Sequence, residues 1–329
     1  MTRSFGARCA AVLLAACASA LSHVVARAQE YPARPVRVVV GFVPGGTTDT
    51  TARVLAAKLT DGFGQQFIVE NRPGAASNVA AELVAKAPPD GYTLMVLTVS
   101  QTVNATLYKK LPFDVRTDIA PISLLVTAPH LLVVHPSIPV KGVGDLVAFT
   151  RARPGQLNFA NAGNGSSAHL AAALFATTAK LDVIHVPYKG AAGAVTDLLA
   201  GQTHAMFSDM IVARPHVLSG RLRALAMTMR SGSRSALMPE LPTVADSGLA
   251  GFESGTWVGV GAPGATPRPL IDRLHGEIVK GFRAADTRER MAGLGMEIVA
   301  GTPDALEATI RADVEKWGRI VRATGITAN

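Results

Sequence analysis

Strand and helix patterns alternate along most of this chain, and that alternation restricts the fold more than any other feature of the sequence. The first part contains apolar runs typical of buried strands, separated by apolar residues at helical spacing. The predicted elements are strands at 36–40, 66–70 and 92–99 and helices at 48–63 and 78–87. Thr48 or Asp49 can supply the side-chain cap of the first helix. A βαβαβ order implies a mostly parallel sheet joined by right-handed crossovers.

The alternation is interrupted once and then restarts, which predicts a second lobe. The interruption, at 121–135, holds two short apolar runs and is expected to form one long strand or a pair of strands. The elements predicted after it are strands at 157–160, 183–186, 205–207 and 222–228 and helices at 145–151, 167–179 and 191–199. A glycine-edged strand at 255–263 is placed to return the chain to the first lobe, and amphipathic helices at 269–283 and 303–324 follow it.

The composition is that of a folded protein with a large core. Of the 329 residues, 48% are hydrophobic and 17% are charged, and the charged share lies below the roughly 25% of an average soluble protein. The length suits two domains better than one. The formal net charge is +8, but the basic residues are scattered rather than clustered among aromatic residues. That distribution argues against a nucleic-acid partner, whereas a mild positive field favours small anions.

The N-terminus has the features of an export signal. Two arginines precede an apolar stretch at 9–20, and the sequence Ala-Arg-Ala that ends at Ala28 matches a cleavage site. We therefore expect a signal peptide over 1–28, a mature chain that begins at Gln29, and a periplasmic location. Removal of the segment, with its three arginines and no acidic residue, lowers the net charge from +8 to +5.

Both cysteines of the chain, Cys9 and Cys17, lie in this segment, so the mature protein is expected to contain no disulfide and no cysteine metal site. The sequence Leu-Ala-Ala-Cys that ends at Cys17 also resembles a lipoprotein processing site, which leaves a lipid anchor there as an alternative. The apolar residues after Cys17 favour the unlipidated form, because a lipoprotein tether is usually polar. Apolar runs beyond the segment are shorter than a membrane span, so a soluble mature protein is expected.

A glycine-rich loop at 41–46 connects the first strand to the first helix and is a candidate anion site. Backbone N–H groups are exposed at a helix N-terminus, and Gly45 and Gly46 allow a ligand to come close. A phosphate-binding loop needs a lysine after its last glycine, but Thr47 stands there, so nucleotide hydrolysis is not supported. A plain strand-to-helix turn with a Thr or Asp cap is the alternative.

A second glycine-rich loop, at 163–168, has the dinucleotide-binding pattern G-x-G-x-x-A. The strand after it, at 183–186, ends without the acidic residue that binds a ribose, so a nicotinamide cofactor is weakly supported. The N–H groups of the loop and the hydroxyls of Ser166 and Ser167 can instead hold a carboxylate. A capped turn without a ligand is again the alternative.

The remaining polar residues give little support to catalysis or metal binding. The chain has no G-x-S-x-G elbow and no H-E-x-x-H motif. His130, His135, His169 and His185 lack the spacing of metal ligands beside an acid, and each is expected to be structural. We therefore predict no catalytic residue, no metal ion and no cofactor.

Short motifs along the whole mature chain also form a recognisable series. They are YP at 31–32 with Pro35, PGGTTD at 44–49, VENRPGA at 69–75, PDGYTL at 89–94, 158–169, HVPYKG at 185–190, PTVA at 242–245, Trp257 with 262–263, and TP at 266–267. Together they resemble the Bug family of extracytoplasmic solute-binding proteins, the TctC-like receptors associated with tripartite tricarboxylate transporters.

The resemblance implies an α/β fold of the two-lobed type II periplasmic-binding-protein type. Each lobe would be a mostly parallel sheet flanked by helices, with the ligand cleft between the lobes. Residues 29–128 and 255–329 would form lobe 1, and 129–254 would form lobe 2. The resemblance also implies that backbone amides, hydroxyls and bridging waters hold ligand carboxylates, largely without an arginine clamp.

Carried over residue by residue, the resemblance implies a ligand site built from both glycine-rich loops and their neighbours. The candidates are Gly45, Gly46, Thr47, Thr48, Asp49, Ser100, Gln101, Asn104, Gly163, Asn164, Gly165, Ser166, His169, Tyr188 and Asp209. Residues 100–104 are expected to form a loop after the third strand. The chain departs from the family at Ser208, which follows a Met-Phe pair where relatives often carry an acid, so that the acid at Asp209 stands one place later.

These features predict a binding protein rather than an enzyme. The expected function is periplasmic capture of a carboxylate-bearing solute, such as a di- or tricarboxylate, an amino acid or an aromatic acid, for a tripartite tricarboxylate-type transporter or a sensor. Two helix N-termini on opposite sides of a cleft favour a dicarboxylate or an acid with a polar second end. A monomer is expected. The alternative is an α/β enzyme, such as a nucleotide-cofactor-dependent dehydrogenase that uses 163–168.

Overall fold

The computed structural model describes residues 31–324, with side chains up to Arg322. The predicted signal peptide, the start at Gln29 and the alternative lipid anchor at Cys17 lie outside the described residues. The chain divides at Arg34, and every described helix and strand belongs to the unit that begins there. None of the described helices is both long and apolar enough to cross a bilayer.

The described elements follow an order close to the predicted one. The strands are β1 (Val36–Val40), β2 (Phe67–Asn71), β3 (Thr93–Thr98), β4 (Ile119–Val134), β5 (Asn158–Asn161), β6 (Ile184–Pro187), β7 (Ala205–Asp209), β8 (Arg223–Met227), β9 (Gly255–Pro263) and β10 (Glu297–Ile298). The helices are α1 (Thr47–Phe63), α2 (Asn78–Ala85), α3 (Val99–Leu107), α4 (Val143–Arg151), α5 (Ser167–Ala179), α6 (Ala191–Leu199), α7 (Met210–Leu218), α8 (Arg268–Arg283), α9 (Ala285–Gly293) and α10 (Pro303–Thr324). Sequence analysis missed α3, α7, α9 and β10, and the proline inside α7, Pro215, is a helix-breaking signal that hides that helix.

The strands form one mixed sheet with the order β2-β1-β3-β9-β4-β7-β5-β6, and β8 and β10 also pair with β4. β1 pairs in parallel with β2 and β3, and β5 pairs in parallel with β6 and β7, as the βαβ order predicts. The pairings of β4 and β9 are antiparallel. The sheet is mixed because these long strands run back between the two parallel sets.

β4 belongs to two groups of strands at once. Residues 119–129 pair with β9, whereas 130–134 pair with β7 and 131–134 with β8. We call β1, β2, β3, β9, β10 and residues 119–129 the first strand group. The second strand group is β5 to β8 with residues 130–134. The backbone of β4 therefore passes from the first strand group to the second between Pro129 and His130.

Each strand group has an apolar core of its own. In the first strand group, all six residues of β3 are buried. In the second, Phe159, Phe175, Phe207 and Phe252 pack with ring centroids 5.6–6.4 Å apart. Burial of one such ring stabilises the fold by about 1.5–3 kcal/mol. These cores fix the ends of β1, β3, β5 and β7, where the predicted polar residues lie.

Candidate ligand-binding site

No side chain of the turn between β1 and α1 caps the N-terminus of α1. Helix α1 begins at Thr47, and its N-cap is Gly46 in an extended conformation. The prediction that Thr48 or Asp49 caps this helix is therefore wrong, because the chain turns into the helix before either residue. Gly45 has φ +100°, a left-handed conformation that glycine adopts without the strain a Cβ imposes.

Asp49, in the first turn of α1, ties this turn together. Its buried carboxylate accepts the Gly45 N–H at 3.1 Å, Nε of Arg53 at 2.9 Å and Nδ2 of Asn71 at 2.9 Å. Burial raises the pKa of the Asp49 carboxyl, but the hydrogen bonds from the three donors outweigh burial and hold the pKa below its usual value. The carboxylate of Asp49 is thus engaged with donors of the turn, of α1 and of β2.

The turn between β5 and α5 is built from neutral groups. Ser166 is the N-cap of α5, and its Oγ accepts the N–H of His169 at 3.2 Å. Nδ1 of His169 in turn accepts the N–H of Gly165 at 3.1 Å. Burial, with a smaller contribution from the nearby His185, lowers the pKa of His169 to about 4. The ring is therefore neutral at pH 7, and it supports the turn without adding a positive charge.

The first N–H groups of α5 stay available for a ligand. Those of Ser167 and Ala168 have no acceptor among the described residues, and both residues line a cavity. They lie at the positive end of the helix dipole, where an anion is stabilised. The α5 turn therefore has the properties of an anion site.

Gly165 is the point where this turn meets α3. It has φ +87°, and a Cβ placed on it would lie 2.4 Å from Oδ1 of Asn104. Asn104 is fully buried and donates through Nδ2 to the Ala76 carbonyl at 3.0 Å and to Oδ1 of Asn78 at 2.8 Å. The close approach of the turn to α3 thus requires glycine at this position.

The segment after β3 is helix α3, so the expectation of a loop at 100–104 is wrong. Oγ1 of Thr98 accepts the N–H of Ser100 at 3.2 Å, and Oε1 of Gln101 accepts the N–H of Thr98 at 2.8 Å. The two bonds form a capping box that starts the helix. Gln101 is fully buried and serves this cap, whereas Ser100 lines the cavity.

Asp209, at the end of β7, supplies the acceptor that α1 lacks. Its Oδ2 accepts the N–H of Thr47 at 3.1 Å, and its Oδ1 lies 3.7 Å from Nε2 of His130. His130 is fully buried, and burial lowers the pKa of its ring against the opposing effect of Asp209. Nε2 of His130 also lies 3.1 Å from Oγ of Ser167. The bond from Thr47 to Asp209 therefore joins the first glycine turn to the second strand group.

The turns surround a cavity of about 40 Å³, enough for a few water molecules. The predicted site residues that line it are Gly46, Thr47, Thr48, Asp49, Ser100, Ser166 and Asp209. Sequence analysis missed the lining residues Phe42, Val43, Thr98, Ala162, Ala168, Ala191, Met206 and Thr256. Most of these are apolar or small, and only their position beside the turns could have identified them.

The other predicted site residues support the turns without lining the cavity. They are Gly45, Gln101, Asn104, Gly163, Asn164, Gly165, His169 and Tyr188. Tyr188 donates its hydroxyl to Oδ2 of Asp197 at 2.7 Å, and burial together with this carboxylate raises the pKa of Tyr188 to about 12. The hydroxyl of Tyr188 is therefore engaged with α6 rather than with the cavity.

Any attraction of this cavity for an anion must come from backbone groups. No lysine, arginine or histidine side chain of the described residues lines it, and the charged residues that do are Asp49 and Asp209. Residues at the N-termini of α1, α3 and α5 all contribute to the lining. Helix N-termini attract anions through their exposed N–H groups and dipoles. Within 31–324, no group of three or more His, Cys, Asp and Glu side chains is placed to hold a metal ion.

A larger groove of about 1280 Å³ lies along β4, β9 and α10. Basic residues line it, namely Arg230, Arg234, Arg283, Arg288 and Lys316. Neither glycine turn contributes to its lining. The small cavity is the better candidate because the N-termini of three helices line it, whereas neither glycine turn reaches the large groove.

Known proteins similar to this chain define its class. The model of the tripartite tricarboxylate transporter family receptor, TctC, matches residues 51–326. The chain is 38% identical to the UPF0065 protein in the tcbD-tcbE intergenic region of Pseudomonas sp. (strain P51), over 96% of this chain and 95% of that protein. It is 37% identical to protein BugT of Bordetella pertussis, over 91% of each chain.

Solved structures give the same result. The R. palustris protein Rpa4515 with adipate matches with a TM-score of 0.87 and 34% identity, over 91% of this chain and 99% of that chain. The periplasmic binding protein BugD matches with a TM-score of 0.85 and 33% identity, over 90% of this chain and 99% of that chain. MatC from Rhodopseudomonas palustris with bound malate matches with a TM-score of 0.84 and 31% identity, over 88% of this chain and 100% of that chain.

The fold and the cavity between the strand groups define a solute-binding protein with the periplasmic-binding-protein fold. The chain belongs to the TctC family of tripartite tricarboxylate transporter receptors. The predicted family and the predicted α/β fold class are confirmed.

Proposed function

We propose that this protein encloses a carboxylate-bearing solute in the cavity between the β1–α1 and β5–α5 turns. The observation that carries the proposal is that α5 presents N–H groups without an acceptor among the described residues to a cavity that the N-termini of α1 and α3 also line and that no described basic side chain lines. Such N–H groups bind carboxylates well because they are preorganised and need no buried cation. Relatives whose structures hold adipate and malate support a carboxylate as the ligand.

The cavity has room for a few water molecules, so capture is proposed to need opening of the two lobes to admit the solute and closure around it. Lobe 1 would contain 29–128 and 255–329, and lobe 2 would contain 129–254. The passage of β4 between the strand groups at Pro129 supports a hinge there. Closure buries the solute and creates a new surface, which a tripartite tricarboxylate-type transporter or a sensor can recognise. The protein would act in the periplasm as a monomer, after removal of 1–28, and without a chemical step.

Calorimetric titration of the mature chain, 29–329, tests the proposed function. The ligands are mono-, di- and tricarboxylic acids, with nicotinamide cofactors included for the alternative of a dehydrogenase. At least one acid should bind and raise the melting temperature, since a ligand present at 100 times its Kd stabilises the folded state by about 2.7 kcal/mol. Binding of a nicotinamide cofactor without binding of any acid would overturn the proposal.

A further inference from the structure

The two ends of the cavity differ in what they offer a carboxylate. At the α5 end, the N–H groups of Ser167 and Ala168 have no acceptor among the described residues. At the α1 end, the N–H of Thr47 is already bonded to Oδ2 of Asp209 at 3.1 Å. An incoming carboxylate therefore meets free donors at one end and a carboxylate of the protein at the other.

The charge of Asp209 is not balanced within the described part of the chain. Asp49, the other acid of the lining, has the guanidinium of Arg53 at 2.9 Å. The titratable group beside Asp209 is His130, 3.7 Å away, and burial lowers the pKa of that ring and favours its neutral form. Asp209 makes one hydrogen bond through Oδ2, so the carboxylate retains lone pairs for a further donor.

The carboxylate of Asp209 is also accessible from the cavity. Its side chain is 17% exposed and contributes to the lining. A Cβ placed on Gly46 would lie 3.6 Å from Oδ2 of Asp209, so a longer side chain at that position would begin to cover the carboxylate. Glycine at 46 leaves room for a ligand group to reach it.

We propose that Asp209 determines specificity by selecting carboxylates that also carry a hydrogen-bond donor, with an ammonium group preferred. The proposal rests on the proposed function and narrows its solute class to amino acids, followed by hydroxy acids. An ammonium group both donates to Asp209 and balances its charge, whereas a hydroxyl only donates. A plain dicarboxylate brings no donor or cation that would offset the repulsion between its second carboxylate and Asp209.

Matched ligand series test this selection in the mature chain, 29–329, after unfolding and refolding have removed any co-purified solute. Each series keeps the carbon skeleton and changes one group: succinate, malate and aspartate; glutarate, 2-hydroxyglutarate and glutamate; adipate, 2-hydroxyadipate and 2-aminoadipate. Calorimetry should show, in the series that binds best, the amino acid about tenfold or more tighter than the plain dicarboxylate, with the hydroxy acid between them.

Asp209→Asn is the decisive variant, because the amide oxygen still accepts the N–H of Thr47 while the charge is lost. The preference for the amino acid should fall by about tenfold, chiefly through weaker binding of the amino acid. Asp209→Ser should do the same if the asparagine variant folds poorly by circular dichroism. Asp182→Asn, the same change at an exposed position away from the cavity lining, should leave the preference unchanged.

The outcomes separate the two proposals. If the acids bind but the plain dicarboxylate equals the amino acid, or if Asp209→Asn leaves their ratio unchanged, the role of Asp209 is wrong and carboxylate capture stands. If no acid of any series or of the wider panel binds the parent protein, the proposed function itself fails. A preference that disappears only in the Asp209 variants supports the inference.

Discussion

The two glycine turns at the cavity have a similar backbone plan and different chemistry. The turn before α1 is held by carboxylates, with Asp49 bonded to Arg53 and with Asp209 on the N–H of Thr47. The turn before α5 is held by neutral groups, the hydroxyl of Ser166 and the ring of His169. The comparison teaches that a helix N-terminus is free for a ligand only where the protein itself does not place a carboxylate on it.

Of the substitutions described below, a new carboxylate in the turn before α1 should change ligand binding most. In Gly46→Asp, the added group lies beside Asp209 and opposes the charge of a ligand carboxylate. Binding of a plain dicarboxylate should weaken by about 100-fold, or about 2.7 kcal/mol, whereas an amino acid should lose less because the added carboxylate attracts its ammonium group. Folding should tolerate the change, because Gly46 has φ −88° and is the N-cap of α1, a position that aspartate favours.

Gly46→Ala is the matched control, because it adds the Cβ without the charge. Its Cβ would meet Oδ2 of Asp209 at an ordinary contact distance of 3.6 Å, so binding should change by less than about threefold. Titration calorimetry of both variants beside circular dichroism melts checks the pair. If Gly46→Asp folds and binds like the parent, the first turn has no part in holding the solute.

The neutral character of the second turn predicts a specific dependence of stability on pH. The folded pKa of His169, about 4, lies below the unfolded value of 6.5, so the unfolded state binds a proton first on acidification. The ring therefore contributes stability that is full above pH 6.5 and is lost as the pH falls toward 4. This contribution is on the order of 3 kcal/mol.

His169→Gln checks the prediction, since the glutamine side chain has an acceptor and does not titrate. Between pH 7 and pH 4, the melting temperature of the variant should fall less than that of the parent. His185→Gln is the comparison variant, because burial lowers the pKa of His185 as well but its ring is not the acceptor of the Gly165 N–H. Equal slopes for the parent and His169→Gln would show that the His169 ring is not kept neutral by the fold.

Loss of the Arg53 guanidinium should destabilise the turn before α1. In Arg53→Gln, Asp49 keeps its bonds to Gly45 and Asn71 but loses the guanidinium, and stability at pH 7 should fall by about 1 kcal/mol. The folded pKa of Asp49 lies below its usual value, so its contribution is present above pH 3.8 and is lost on further acidification. Below pH 3.8, the free energy of unfolding should therefore fall less in Arg53→Gln than in the parent.

Arg311→Gln provides the control for this variant. Arg311 pairs with Glu307 at the same helical spacing, but both side chains are well exposed, so its loss should cost a few tenths of a kcal/mol at most. Urea unfolding at pH 7 and pH 3 measures both variants. Equal costs would mean that Asp49 and Arg53 act as an ordinary surface pair.

Local sequence signals were sufficient where a structure depends on neighbouring residues. Apolar runs predict the strands that end at the site, and the spacing of the glycines predicts both glycine turns. Helix α3 was also within reach, because Thr98 and Gln101 match the capping-box pattern that precedes a helix. The serine, threonine and asparagine after Thr98 have low helix propensity, so propensity alone does not reveal this helix.

Contacts between distant parts of the chain could not be predicted in this way. The bond from Thr47 to Asp209 joins residues 162 positions apart, and no local pattern encodes it. The cap of α1 was assigned wrongly for a related reason. Aspartate near a helix start is a good cap, but here Asp49 reaches back to Gly45 and across to Asn71, and the second of these contacts is tertiary.

A crystal structure of the mature chain with the acid that binds best in calorimetry tests the central claim most directly. We expect a carboxylate of the solute within hydrogen-bond distance of the backbone N–H groups of Ser167 and Ala168, in the cavity between the glycine turns. An acid bound instead in the groove lined by Arg283 and Arg288, with the cavity occupied only by water, would contradict the claim.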